Sequence, residues 1–327
     1  MTTPSKRKQD ERGSESAHIG YGKLILFGEH FVVYSQAAFV GAVAAHTTCR
    51  VTLAPSDAWS RGLHVVDRRP AVPGYKDEKA DEMLHSTALV LAQFGLDSAK
   101  RAVAIELGGD LCAVSGIGAS AANCVSLARA LAAELGLSLS EERINAIAFE
   151  GEKGYHGTPS GIDNTASTYG GILRFQRSPT GPLFEPRKLA QPCLIVYAST
   201  GITASTTEVV GDVRKRRDAD PAWYAALAAR YQTIFDRADK ALAACDFATV
   251  GALADENHAL LQELGVSCPE LDNLVVAARA AGAIGAKMSG TGRGGLMFAV
   301  ARDTVTQTAI FDALSKIAPQ VWKTSFA

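Results

Sequence analysis

The chain has 327 residues, of which 47% are hydrophobic and 20% charged. That is enough chain and apolar content for two domains with sizeable cores. A net charge of −1 supplies no general attraction to nucleic acid or acidic membranes, so neither is expected as a partner. The six cysteines show no paired C-x-x-C spacing and no metal-finger pattern. Cys112, Cys124 and Cys193 lie in apolar stretches and read as reduced, buried thiols of an intracellular protein.

Residues 1–17 are polar and charged, without an apolar run, and read as a disordered tail. The longest uninterrupted apolar stretch, residues 37–45, is far too short for a membrane span. No targeting signal is recognisable, and a cytoplasmic location is expected. Strands are expected at 23–27 and 31–34, split by Gly28, Glu29 and His30. Residues 47–54 alternate as a strand does, 79–94 read as helix, and 101–107 return to strand. A small-residue loop, Gly116-Ile117-Gly118-Ala119-Ser120-Ala121-Ala122, then opens an amphipathic helix. Cys124, Leu127, Leu131 and Leu135 mark its buried face, and Gly136 follows as a helix C-terminus favours. Ser138 with Glu141 reads as a capping box for the next helix, which runs to about residue 153. A glycine-rich stretch, 154–171, leads to a strand at 172–175.

The proline-rich passage 176–192 reads as the joint between domains. A buried strand follows at 193–198. Arg214, Lys215, Arg216 and Arg217 read as a solvated helix face. Asp220 and Pro221 form an N-cap and N1 pair opening a long helix. Asp246 caps a helix ending at Gly265, and Pro269 starts another ending at Gly282. Strands at 286–289 and 296–301 flank a second glycine-rich segment, and Asp303 caps the last helix. The pattern is α+β, with two domains at 18–180 and 181–327 and a cleft between them.

The loop at 116–122 predicts a phosphate site. Small residues let backbone N–H groups approach a ligand, and a helix N-terminus favours an anion. The same residues also suit a tight strand-to-helix turn that binds nothing. Gly116, Gly118 and Ala121 satisfy the dinucleotide pattern G-x-G-x-x-A as well, but the required second strand ending in an acid is missing. No Gly-Lys-Ser/Thr closes the loop, so the Walker pattern is absent.

Four segments share the requirements of a triphosphate and a hydroxyl. They are GKLILFGEHFVVY, the Ser120 loop, Glu152 through HGTPSGIDNTAST, and KMSGTGRGG at 287–295. Their order and wording resemble the galactokinase, homoserine kinase, mevalonate kinase and phosphomevalonate kinase superfamily over residues 20–300. GKLILFGEHFVVY and HGTPSGIDNTASTYGG are most similar to its mevalonate kinases. The resemblance implies an N-terminal α+β kinase domain with a left-handed βαβ crossover and a C-terminal ferredoxin-like α+β sandwich. It also implies Mg²⁺ and ATP-dependent phosphorylation of mevalonate at its 5-hydroxyl, on the route to isoprenoids and sterols. A sister kinase acting on phosphomevalonate, homoserine or a sugar, and an inactive regulatory relative, are the alternative readings. A homodimer is compatible with the sequence.

By the same resemblance, Asp163 is the base that accepts the hydroxyl proton, and Lys23 is the cation beside the transferring phosphoryl group. Ser120 and Glu152 are the magnesium ligands; one hydroxyl and one carboxylate suffice when phosphates and waters complete the shell. Gly116, Gly118, Ala119, Ser120, Ala121, Gly290 and Gly292 would line the ATP phosphates. Glu29, His30 and Thr206 would lie near the substrate, with Glu29 holding Lys23 in place. Ala119 stands where the family often has serine. Arg293 interrupts a run that is often glycine, and either contacts phosphate or points to solvent.

Overall fold

The structure is a computed structural model and describes residues 18–55, 61–114, 116–179 and 181–327. The tail expected at 1–17 lies outside the described residues. In chain order the elements are β1 (His18–Phe27), β2 (Ala38–Leu53), β3 (Leu63–Asp67), α1 (Tyr75–Glu78), α2 (Ala80–Gln93), β4 (Val103–Gly109), α3 (Ala119–Glu134), α4 (Glu141–His156), α5 (Ile162–Tyr169), β5 (Ile172–Ser178) and β6 (Gly181–Arg187). There follow β7 (Cys193–Ser199), α6 (Thr206–Ala219), α7 (Pro221–Ala243), α8 (Phe247–Leu264), α9 (Pro269–Ala280), β8 (Gly285–Ser289), β9 (Leu296–Ala301), α10 (Thr304–Leu314) and β10 (Gln320–Phe326).

Strands β1 to β6 form one sheet in the order β3-β4-β2-β5-β6, with β1 paired to β2. The long β2 serves two neighbours on one side. Residues 38–41 pair with β5 and 47–53 with β4, both antiparallel. The β3–β4 pair is parallel, joined through α1 and α2. Helix α3 packs on β1 and β2 and against α4 and α5. The second sheet has the order β10-β7-β9-β8 and is antiparallel throughout. Numbered within that domain the order is 4-1-3-2, the ferredoxin-like arrangement expected. The two domains share one apolar cluster that includes Phe39 and Val43 of β2 with Val196, Met297 and Phe326 of the second sheet.

Three expectations change. Residues 31–34 form no strand; Val32–Tyr34 is a 3-10 turn, because His30 and Ser35 on either side take positive φ of 60° and 65°. Phe31 is drawn inward to stack on Tyr231 of α7 at 4.3 Å. The capping residue of α4 is Ser140, not Ser138, its hydroxyl accepting from the Arg143 N–H. The joint placed at 180/181 moves beyond Arg187, since β6 pairs with β5 and completes the first sheet. Its prolines, 182 and 186, suit an outer strand, where a missing N–H costs no ladder bond. The long helices start where their caps predict. Asp220, Asp246 and Asp303 accept the N–H groups of Trp223, Thr249 and Thr306.

Candidate active site

Lys23 comes from β1 and Asp163 from the first turn of α5. Their charged atoms stand 3.4 Å apart. The Lys23 ammonium also donates to the Gly116 carbonyl at 3.1 Å, and its backbone N–H donates to the Ile117 carbonyl at 2.8 Å. The loop before α3 is thus wrapped over the lysine stem. Gly118 is required there: its φ is 75°, and a Cβ would lie 3.0 Å from Lys23 Cγ. As N-cap of α3, Gly118 offers no side-chain acceptor, so the first-turn N–H groups have no side-chain cap. These are the groups that receive anions at helix starts. Ala119 and Ala121 are buried, so neither side chain is open to the cleft.

Ser120 and Glu152 converge on the same place. The Ser120 hydroxyl lies 3.4 Å from His156 Nε2, and His156 Nε2 lies 3.9 Å from a Glu152 oxygen. Glu152 is 1% exposed. Burial pushes its carboxyl up to about 8, and the nearby charge of Asp163 adds to the rise; Ser120, Lys23 and Cys124 oppose it. A buried carboxylate beside the Ser120 hydroxyl, with longer contacts to Cys124 Sγ at 3.9 Å and His156 at 3.9 Å, fits a hard divalent cation. Among the described residues no cluster of three or more His, Cys, Asp and Glu could hold a metal alone. The donor set therefore suits an ion that brings phosphate and water ligands with it.

On the second-domain side, Thr206 is the first residue of α6, and its hydroxyl meets that of Thr291 at 2.8 Å. His30 Nε2 lies 2.7 Å from the Thr291 carbonyl. A carbonyl only accepts, so Nε2 carries the proton, and Nδ1 is left buried without a partner. Burial drives the His30 pKa down to about 4, with Arg293 adding to the fall and the bond to Thr291 opposing it. Gly290 faces open space, whereas Gly292 packs within its own domain, where a Cβ would lie 2.0 Å from the Val266 carbonyl oxygen. Of the two alternatives for Arg293, the structure shows the solvent-facing one: its side chain is exposed, and the guanidinium donates to Asp212 at 2.7 Å.

Glu29 departs from expectation. Its carboxylate is fully buried and ion-paired with Lys287 of β8, not with Lys23 and not in the open cleft. Burial outweighs that pairing and holds the Glu29 pKa above the usual carboxylate value. Lys287 itself was readable as a signal, since a lysine in an otherwise apolar strand needs a buried partner. His156 was readable too, lying four residues after Glu152 on one helix face. Lys76 and Lys79 were not. They line a small cavity of about 80 Å³ beside Ser120, together with Arg69, Tyr75 and Tyr155. A larger groove of about 870 Å³, lined in part by His18, Arg50, Arg68 and Glu106, contains none of the candidate residues.

Two α+β domains that set a lysine–aspartate pair near an uncapped helix start give the positioning and charge that phosphoryl transfer needs, the arrangement of a kinase. Residues 82–171 match the N-terminal domain of the GHMP kinases and residues 239–320 their C-terminal domain. The mevalonate kinase of Pyrococcus horikoshii is 34% identical over 307 residues, covering 88% of this chain and 90% of the relative. That of Thermococcus gammatolerans is 31% identical over 320 residues, covering 93% and 94%. The crystal structure of L. major mevalonate kinase in complex with R-mevalonate superposes with a TM-score of 0.91 at 41% identity, covering 96% of each chain. The chain belongs to the GHMP kinases and, within them, to the mevalonate kinases. Among the described residues no helix is long and apolar enough to cross a membrane.

Proposed function

We propose that this chain transfers the γ-phosphoryl group of ATP to the 5-hydroxyl of (R)-mevalonate, giving 5-phosphomevalonate and ADP. The observation that carries the reading is the Lys23–Asp163 pair, 3.4 Å apart, beside the start of α3. The Asp163 carboxylate accepts the hydroxyl proton as the substrate oxygen forms its bond to the γ-phosphorus. The bond from that phosphorus to the bridging oxygen breaks, and ADP leaves with the electron pair. The Lys23 ammonium stabilises the nucleophilic oxygen and the charge on the transferring group. First-turn N–H groups of α3 cradle the phosphates, with Lys76 and Lys79 close enough to add positive charge. Ser120 and Glu152 would hold Mg²⁺, which supplies neutralisation of the triphosphate charge when bound. His30 of the first domain and Thr206 of the second, both tied to Thr291, frame the acceptor. A relative of high structural similarity that holds R-mevalonate supports this acceptor over a phosphorylated one or a sugar.

The test is ADP release by the purified chain with Mg-ATP, comparing mevalonate with phosphomevalonate, homoserine and galactose. Turnover on mevalonate alone is expected. Turnover on another acceptor and none on mevalonate would overturn the substrate assignment and leave the phosphoryl-transfer site intact.

A further inference from the structure

Helix α6 carries Thr206 into the site, yet little apolar packing holds it there. Of its 14 residues only Val209 and Val213 are buried. Its C-terminal end is anchored by Arg216, whose guanidinium stacks on the Trp223 ring at 3.7 Å and donates to the Glu263 and Leu264 carbonyls at 3.3 and 3.5 Å. Elsewhere it meets the glycine-rich segment between β8 and β9 through two polar contacts. One joins the Thr206 and Thr291 hydroxyls at 2.8 Å. The other is Asp212, further along the helix, which accepts from Arg293 Nη1 at 2.7 Å. A helix with so few buried contacts opens locally at low cost, so polar contacts of this kind set where it sits.

Arg293 stands where the backbone favours glycine. Its φ is 52°, in a run where Gly290, Gly292, Gly294 and Gly295 also take positive φ. An L side chain is strained there and glycine is not. What offsets the strain is the reach of the side chain. Its Nε donates to the Gly265 carbonyl at the end of α8 at 3.4 Å, and Nη1 to Asp212. The guanidinium thus ties α6 to the segment that presents Thr291. The two side chains are 41% and 44% exposed, and an exposed ion pair adds little to global stability. Its effect falls instead on the placing of α6.

We propose that Arg293 is a positioning residue for the acceptor: through Asp212 it seats α6 on the 290–294 segment, so that Thr206 and Thr291 face the acceptor together with His30. The inference rests on His30 and Thr206 framing the acceptor as proposed above.

The experiment compares wild type, Arg293→Gly, Asp212→Asn and the double variant, full chain, with Mg-ATP and mevalonate. In each single variant KM for mevalonate is expected to rise about three- to tenfold, with kcat and KM for ATP changed by less than about twofold. The double variant is expected to lose no more than either single one, because all three remove the same contact. Amide hydrogen exchange in α6 is expected to speed up about three- to tenfold in the single variants, with α8 unchanged. Arg293→Gly is expected to melt within about 3 °C of wild type, since relief of the left-handed strain offsets the lost pair. A lowered melting temperature in Arg293→Gly with KM for mevalonate unchanged would make Arg293 a merely structural residue and overturns the proposal. Additive losses in the double variant, or wild-type exchange of α6 in both single variants, overturn it too. Should wild type turn over another acceptor and not mevalonate, the functional reading fails by itself; the exchange of α6 and the KM for that acceptor then decide this inference in the same way.

Discussion

Asp163 occupies the second position of α5, its side chain 26% exposed and directed to Lys23. It is open enough to meet a substrate and held closely enough to stay aligned. Asp163→Asn keeps the shape and removes the proton acceptor, so kcat should fall by ~10²–10⁴ with little change in KM for ATP. Steady-state kinetics on mevalonate checks this, and a wild-type kcat would remove Asp163 from the mechanism. Asp163 and Lys23 came forward in the sequence through the motifs that resemble the family, since taken alone each reads as an N-cap or a strand-edge lysine. The partner of Glu29 was not legible. Lys287 lies 258 residues further along the chain, and no local rule pairs a carboxylate with a lysine at that distance. Gly28, Glu29 and His30 look alike as a polar turn, yet tertiary packing sends Glu29 to Lys287 and His30 to Thr291.

At the scale of elements, helix α8 and strand β8 meet backbone to backbone. A Cβ on Gly251 would lie 2.5 Å from the Ile284 carbonyl oxygen, and one on Gly285 would lie 1.8 Å from the Gly251 carbonyl oxygen. This contact seats β8 at the depth from which Lys287 reaches Glu29 and the Ser289 hydroxyl bonds both the N–H and the carbonyl of Ile25, each at 2.9 Å. Gly285→Ala must push strand and helix apart, and should cost ~1–3 kcal/mol of stability, as overpacking does. Thermal or denaturant unfolding reads that loss; a melting point equal to wild type would show that the contact yields without strain. Helix starts were legible from their aspartate caps, because capping is a local hydrogen bond between residues three apart. Strand β6 was not, because Pro182 and Pro186 argue for a linker until the free side of β5 is available to receive it.

For the whole molecule, His30 is a seam between the domains and is buried neutral. Its pKa is about 4 in the fold against an ordinary 6.5. Between those values the unfolded chain holds the extra proton, so stability rises with pH across that window. The His30 contribution is fully present above about pH 6.5 and is lost as pH falls toward 4. The loss is on the order of 3 kcal/mol for a shift of this size. Unfolding free energies measured from pH 7 to pH 4 should fall less steeply in His30→Gln than in wild type. Equal slopes would place the acid sensitivity elsewhere.

The sequence by itself determined the kinds of elements, because helical periodicity, caps and small-residue loops act over a few residues, and the resemblance of its separated motifs pointed to the family. It also brought Lys23, Ser120, Glu152 and Asp163 forward as a chemically sufficient set. The tertiary structure alone decided which lysine each carboxylate meets, that His30 is kept neutral, and where the first sheet ends. Those outcomes depend on desolvation and on partners supplied by the opposite domain, and neither exists until the two sheets close over one core.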